Sequence, residues 1–188
     1  MSDACTRRAV LKAGIGLGLG SRLTPTSAEG QEDPTAIRPK EGDLLVKPGD
    51  SRKTPLTPDD VPVGARQIMA WAMDPSDRIV RSGSRLNQLI LLRLDPTALA
   101  PGTRARAADG VVAYTAICTH NGCDIDDWLA DQHVLSCSCH FSTFDPRDGA
   151  RVVDGPAPRM LPALPLKVVD GTLVVAGPFT ARVGFEVG

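Results

Sequence analysis

The sequence predicts an antiparallel, all-β domain, on three observations. Its 188 residues include 18 glycines and 16 prolines but few aromatics, a balance that favours short strands and frequent turns over long helices. Short apolar runs at 67–73, 88–94 and 111–115 are separated by turn formers: Asp74-Pro75, Asp95-Pro96, Pro101-Gly102 and Asp109-Gly110. Near the end, two four-residue apolar runs at 166–169 and 172–175 flank Asp170-Gly171, a strong hairpin signal. The length suits one domain with appendages. A formal net charge of -1, from 21 basic and 22 acidic side chains, gives no excess of either sign to draw the chain onto nucleic acid or an anionic membrane. No nucleophilic triad, phosphate loop or basic stacking surface points to another enzyme class.

From the N-terminus, Arg7-Arg8 precede an apolar, glycine-rich stretch that ends near Leu23, the charged-then-apolar layout of an export signal. The paired arginines, with Leu11 and Lys12 behind them, resemble a twin-arginine signal, although Val10 stands where phenylalanine is usual. Gly14, Gly16, Gly18 and Gly20 would each cost a soluble helix about 1 kcal/mol relative to alanine. Lys12 interrupts an apolar run already short of the roughly 20 residues a membrane helix needs. Thr26-Ser27-Ala28 offers a small-residue cleavage site, so residues 1–28 are expected to be removed or to remain as a weak inner-membrane anchor of a periplasmic protein. Cys5 would leave with them. Residues 29–63 contain Pro34, Pro39, Pro48, Pro55, Pro58 and Pro62 and are expected to form a linker or arm, with the domain proper over 64–188. Met69, Trp71 and Met73 alternate along one strand and are expected to pack one face on the core.

The other four cysteines lie together, which is not the layout of a dispersed disulfide framework. They fall in Cys118-Thr119-His120-Asn121-Gly122-Cys123 and Cys137-Ser138-Cys139-His140-Phe141-Ser142. A C-x-H pair can aim both side chains at one point only from a tightly turned backbone, and Gly122 supplies that freedom. Four ligands of mixed sulfur and nitrogen type suit tetrahedral zinc or a binuclear iron cluster. A zinc site would use four of the six Cys and His side chains and leave Cys123 and Cys139 without a role, which they would regain if they formed a disulfide. Such a bond, closing about 15 residues, is worth roughly 3 kcal/mol on the chain-entropy estimate. His133, in the connecting stretch, is expected to face solvent or a strand edge.

The two segments resemble the Rieske family, whose pattern is C-x-H-x-G-C followed by C-x-C-H. The resemblance implies a Rieske-type antiparallel β-sandwich with a small cluster-binding subdomain over about 111–165. It also implies one [2Fe-2S] cluster per chain and one-electron transfer. By it, Cys118 and Cys137 bind an inner iron, His120 and His140 bind an outer iron near the surface, and Cys123 pairs with Cys139. The disulfide pair places the chain with the high-potential branch, found in quinol–cytochrome c oxidoreductases and in the small subunit of arsenite oxidase. The partners implied are cytochrome b and cytochrome c, with quinol as donor, or a molybdenum-containing large subunit. Gly155-Pro156-Ala157-Pro158 is similar to the proline loop that covers the cluster, and Ser142 matches a serine that donates a hydrogen bond to a bridging sulfide. Three residues depart from the quinol-oxidising pattern: Phe144 for a tyrosine that donates to a ligand sulfur, Asn121 for a leucine, and Phe141 for a glycine. The first implies a lower potential, and the other two alter the surface beside the histidines.

Overall fold

The computed structural model describes residues 33–185, so the expected export signal lies outside the described residues. Ten strands follow in chain order: β1 (Leu44–Val46), β2 (Ile68–Met73), β3 (Leu89–Arg93), β4 (Val111–Thr115), β5 (Asp127–Leu129), β6 (Val134–Ser136), β7 (Thr143–Asp145), β8 (Arg151–Asp154), β9 (Leu166–Val169) and β10 (Thr172–Val175). A single helical turn, α1 (Pro101–Arg104), starts on a proline. Among the described residues no helix is long and apolar enough to cross a membrane.

The strands form a six-stranded sheet in the order β4-β3-β2-β1-β10-β9 and a four-stranded sheet in the order β5-β6-β7-β8. Every pairing within them is antiparallel. The larger sheet curls until its two edges meet: on the way into β9, Ala163 bridges Tyr114 of β4, and Leu164 donates its N–H to the Ala113 carbonyl at 2.9 Å. Asp170 and Gly171 make the β9–β10 turn with φ of 49° and 78°, the doubly positive geometry that a two-residue hairpin requires. β1 comes from the proline-rich stretch 29–63, and it is internal to the sheet, between β2 and β10. Ahead of it, buried Asp43 binds buried Arg81 through both carboxylate oxygens, and Arg81 also meets Asp74 at 3.1 Å. Removing one member of such a buried pair costs about 3–5 kcal/mol.

Alternation along β3 and β4 explains how two cores share one wall. Leu89 and Leu91 of β3, with Val111 and Ala113 of β4, face a core built with Leu45, Ala70, Ala72, Leu164, Leu173 and Val175. Ile90 and Leu92, with Val112 and Tyr114, face a second core that contains Cys118, Trp128, Leu135, Cys137, Phe144 and Leu161. Strands buried on both faces read as continuous apolar runs, as Leu89-Ile90-Leu91-Leu92 does. The insertion between β4 and β9 is therefore seated on the outer face of the large sheet, and the free cysteines Cys118 and Cys137 sit within its core. Of the alternating residues on β2, Met73 is fully buried and Met69 packs on the second core.

Candidate metal centre

β6 directly, and β4 after Ala116 and Ile117, lead into a loop that begins on a buried cysteine, and the two loops share one hydrogen-bond frame. In the first, Cys118 N–H donates to the Cys123 carbonyl at 2.7 Å and Gly122 N–H donates to the Cys118 carbonyl at 3.1 Å. In the second, Cys137 N–H donates to the Ser142 carbonyl at 3.0 Å and Phe141 N–H donates to the Cys137 carbonyl at 2.9 Å. The fifth residue of each turns through the left-handed region, with φ of 75° at Gly122 and 58° at Phe141. These turns bring the His120 and His140 rings together edge to face, with centroids 4.7 Å apart.

The loops are tied to each other and to a covering segment. Cys123 and Cys139 form a disulfide with a Cα–Cα distance of 6.5 Å, the bridge the family resemblance implied. Thr119, between Cys118 and His120, donates its hydroxyl to the Arg159 carbonyl at 2.6 Å. The Ser142 hydroxyl accepts from Ala157 N–H at 3.1 Å, which leaves its own proton free to donate elsewhere. Gly155 allows that approach: it has φ of 89°, and a Cβ there would stand 2.5 Å from Ser142 Cα. The proline segment 155–158 thus lies against the second loop at Ser142.

Polarity grades across the site from interior to surface. Cys118 and Cys137 are buried free thiols, His120 is partly exposed, and His140 is exposed. Burial pushes the Cys118 thiol up to about 11; the His120 N–H, 3.5 Å from its sulfur, opposes this, while the neighbouring Cys137 adds to it. Such a thiol stays protonated at neutral pH unless a bound cation takes the proton's place on sulfur and compensates the buried charge, the proton leaving to solvent. His120 Nδ1 is likewise buried and has no hydrogen-bond partner. Two soft sulfurs inside, and an orphaned ring nitrogen beside a second ring at the surface, form a donor set that fits an iron–sulfur cluster. Among the described residues, the Cys123, Cys137 and Cys139 sulfurs lie within 4.8 Å of one another; two of them are bonded together, so this trio is not a mononuclear site.

Phe144 is fully buried on β7 within the same core, and Asn121 and Phe141 are exposed beside the histidines, Phe141 at 73%. His133 is exposed in the β5–β6 turn, as expected, its ring 6.3 Å from that of Trp128. Sequence reasoning did not single out Thr119, Asp126 or Phe185. Phe185 lies over the first loop so closely that a Cβ on Gly122 would come within 2.9 Å of its ring. None of the three carries a spacing signal: Asp126 and Phe185 lie outside the Cys/His pattern, and Thr119 fills a variable position within it.

Residues 88–165 match the family model described as the Rieske [2Fe-2S] domain. A "Cytochrome bc1 complex Rieske iron-sulfur subunit" of Streptomyces lividans is 38% identical over 146 residues, 76% of this chain and 85% of that protein. A protein of that name from Streptomyces coelicolor is also 38% identical over 146 residues, again 76% of this chain but 41% of its own length. A Haloferax mediterranei protein, provisionally named as the Rieske subunit of a respiratory nitrate reductase, is 46% identical over 76 residues, 40% of this chain and 34% of that protein. Among solved structures, the soluble domain of Rieske protein II from Sulfolobus acidocaldarius aligns at a TM-score of 0.42 and 24% identity, over 54% of this chain and 66% of that one. With paired Cys/His loops, the bridging disulfide and a 38% identical relative spanned over most of its length, the chain belongs to the Rieske [2Fe-2S] family of electron-transfer proteins.

Proposed function

We propose that Cys118 and Cys137 hold the inner iron of the [2Fe-2S] cluster and His120 and His140 the outer one. The observation that carries this is a pair of equivalent loops, each starting on a buried free cysteine, in which the two thiols act on each other and the two imidazoles meet edge to face. When bound, the cluster accepts and releases one electron at a time. The surrounding residues insulate and tune it. The Ser142 hydroxyl, already an acceptor from Ala157, keeps its proton to stabilise negative charge at the centre, which favours the reduced state. Phe144 offers no donor, so the potential is set lower than a tyrosine there would set it.

The bc1 reading of the whole protein rests on the Streptomyces relatives' name. In it, quinol is the donor, and cytochrome b and a cytochrome c are the partners. A second reading is supported by the exposed Phe141 and Asn121, which replace a glycine and a leucine of the quinol-oxidising pattern: a small subunit docked on a molybdenum-containing large subunit. In either reading the twin-arginine segment delivers the chain to the periplasm, with cleavage after Ala28 or retention as an inner-membrane anchor. The test is a potentiometric titration followed by electron paramagnetic resonance on protein from the exporting cell. A rhombic reduced-state signal with a midpoint in the upper part of the approximately -150 to +300 mV Rieske range supports the quinol-linked reading. A midpoint near the bottom of that range removes quinol as donor, and zinc in place of a signal overturns the ligand assignment.

A further inference from the structure

The two cluster loops are joined at a second place besides the disulfide. Asp126, on the chain leaving the first loop, accepts two hydrogen bonds from Ser138, the residue between Cys137 and Cys139. The Ser138 N–H donates to Oδ1 at 3.1 Å and its hydroxyl donates to Oδ2 at 2.5 Å. Asp126 is itself anchored. Its N–H donates to the Ser136 carbonyl at 3.2 Å, and its own carbonyl accepts from Arg66 Nη2 at 2.6 Å. Hydrogen bonds to a carboxylate are shorter and stronger than neutral ones, and using both oxygens on one residue fixes orientation as well as distance.

We propose that Asp126 is a positioning residue for the second cluster loop, holding Ser138 so that Cys137 and His140 keep their places even without the Cys123–Cys139 bond. This rests on the ligand assignment given above. The covalent link at Cys139 and the carboxylate clamp at Ser138 restrain adjacent residues from the same side, so either one holds the loop without the other. Loss of both frees it. Two restraints on one degree of freedom act non-additively when removed together. The clamp also differs from the disulfide in carrying charge: a carboxylate beside the peptide that follows Cys137 disfavours an added electron on the cluster.

The experiment compares the full chain with D126A, with C123S/C139S and with the triple variant, reading the rate of cluster loss to a chelator by visible circular dichroism and iron content. Each of the first two is expected to lose cluster a few-fold faster than the parent. The triple variant is expected to lose it several-fold faster than the product of those effects, and a rate equal to that product overturns the inference. Should the triple variant fail to fold, S138A in the C123S/C139S background, which keeps the backbone donor, is expected to show a smaller excess of the same sign; no excess overturns it. D126N with the disulfide intact is expected to raise the midpoint potential with an unchanged resonance line shape, a shift that a merely structural role would not give, and an unmoved midpoint counts against the proposal. A parent protein that binds no cluster would instead overturn the ligand assignment.

Discussion

The loops at 118–123 and 137–142 share one backbone frame, yet where each turns through positive φ the first has Gly122 and the second Phe141. The surroundings explain the difference. Gly122 is buried beneath the Phe185 ring, which a Cβ there would meet at 2.9 Å, and its carbonyl accepts from Arg85 at 2.6 Å, so a side chain would have to displace that ring. Phe141 projects to solvent, so only the backbone conformation resists a side chain there. A left-handed conformation costs a residue bearing a Cβ roughly 1–2 kcal/mol. Packing dictates the first loop's glycine, whereas the second loop carries strain and gains an exposed aromatic ring beside His140.

Substitutions can break or sharpen that contrast. The largest effect is expected at Gly155, whose positive φ and backbone-to-backbone approach to Ser142 serve the second loop alone: G155A should destabilise the protein by about 3 kcal/mol in denaturant unfolding and loosen the cluster. Next comes Gly122→Ala, where strained φ is joined by a flexible ring that must shift, for a loss of about 1–2 kcal/mol. Phe144→Tyr should change stability by about 1 kcal/mol or less if its new hydroxyl finds the ligand sulfur, and should raise the midpoint potential. A destabilised protein with an unmoved midpoint would show that the ring does not approach the sulfur. The smallest change is expected for Phe141→Gly, which relieves the left-handed strain against the greater chain entropy of glycine, a net gain of about 1 kcal/mol or less. If F141G destabilised the protein as much as G122A, the two loops would not differ in the way their packing implies.

The large sheet was legible because its strands are long enough for pattern to accumulate: β2, β3 and β4 are five or six residues each, and Asp170-Gly171 announces the hairpin. β5, β6 and β7 have three residues each, too few for alternation to register, and they are held by the second core. β1 was hidden for the same reason, a three-residue strand inside a proline-rich stretch. The site was legible by a different route, since Cys and His at fixed spacing announce a chemistry whatever the surrounding strand length. What that spacing could not carry was the set of supports drawn from distant chain: Asp126 on Ser138, the Arg159 carbonyl on Thr119, and Phe185 over Gly122. Each is an ordinary residue type whose role is created by the fold.

The most direct test of the account is pulsed electron paramagnetic resonance of the reduced protein carrying isotope-labelled histidine. The ligand assignment predicts two inequivalent imidazole nitrogens coupled directly to the cluster, with one coupling lost and the iron–sulfur signal altered when His140 is replaced by cysteine. A reduced cluster without imidazole coupling would contradict it.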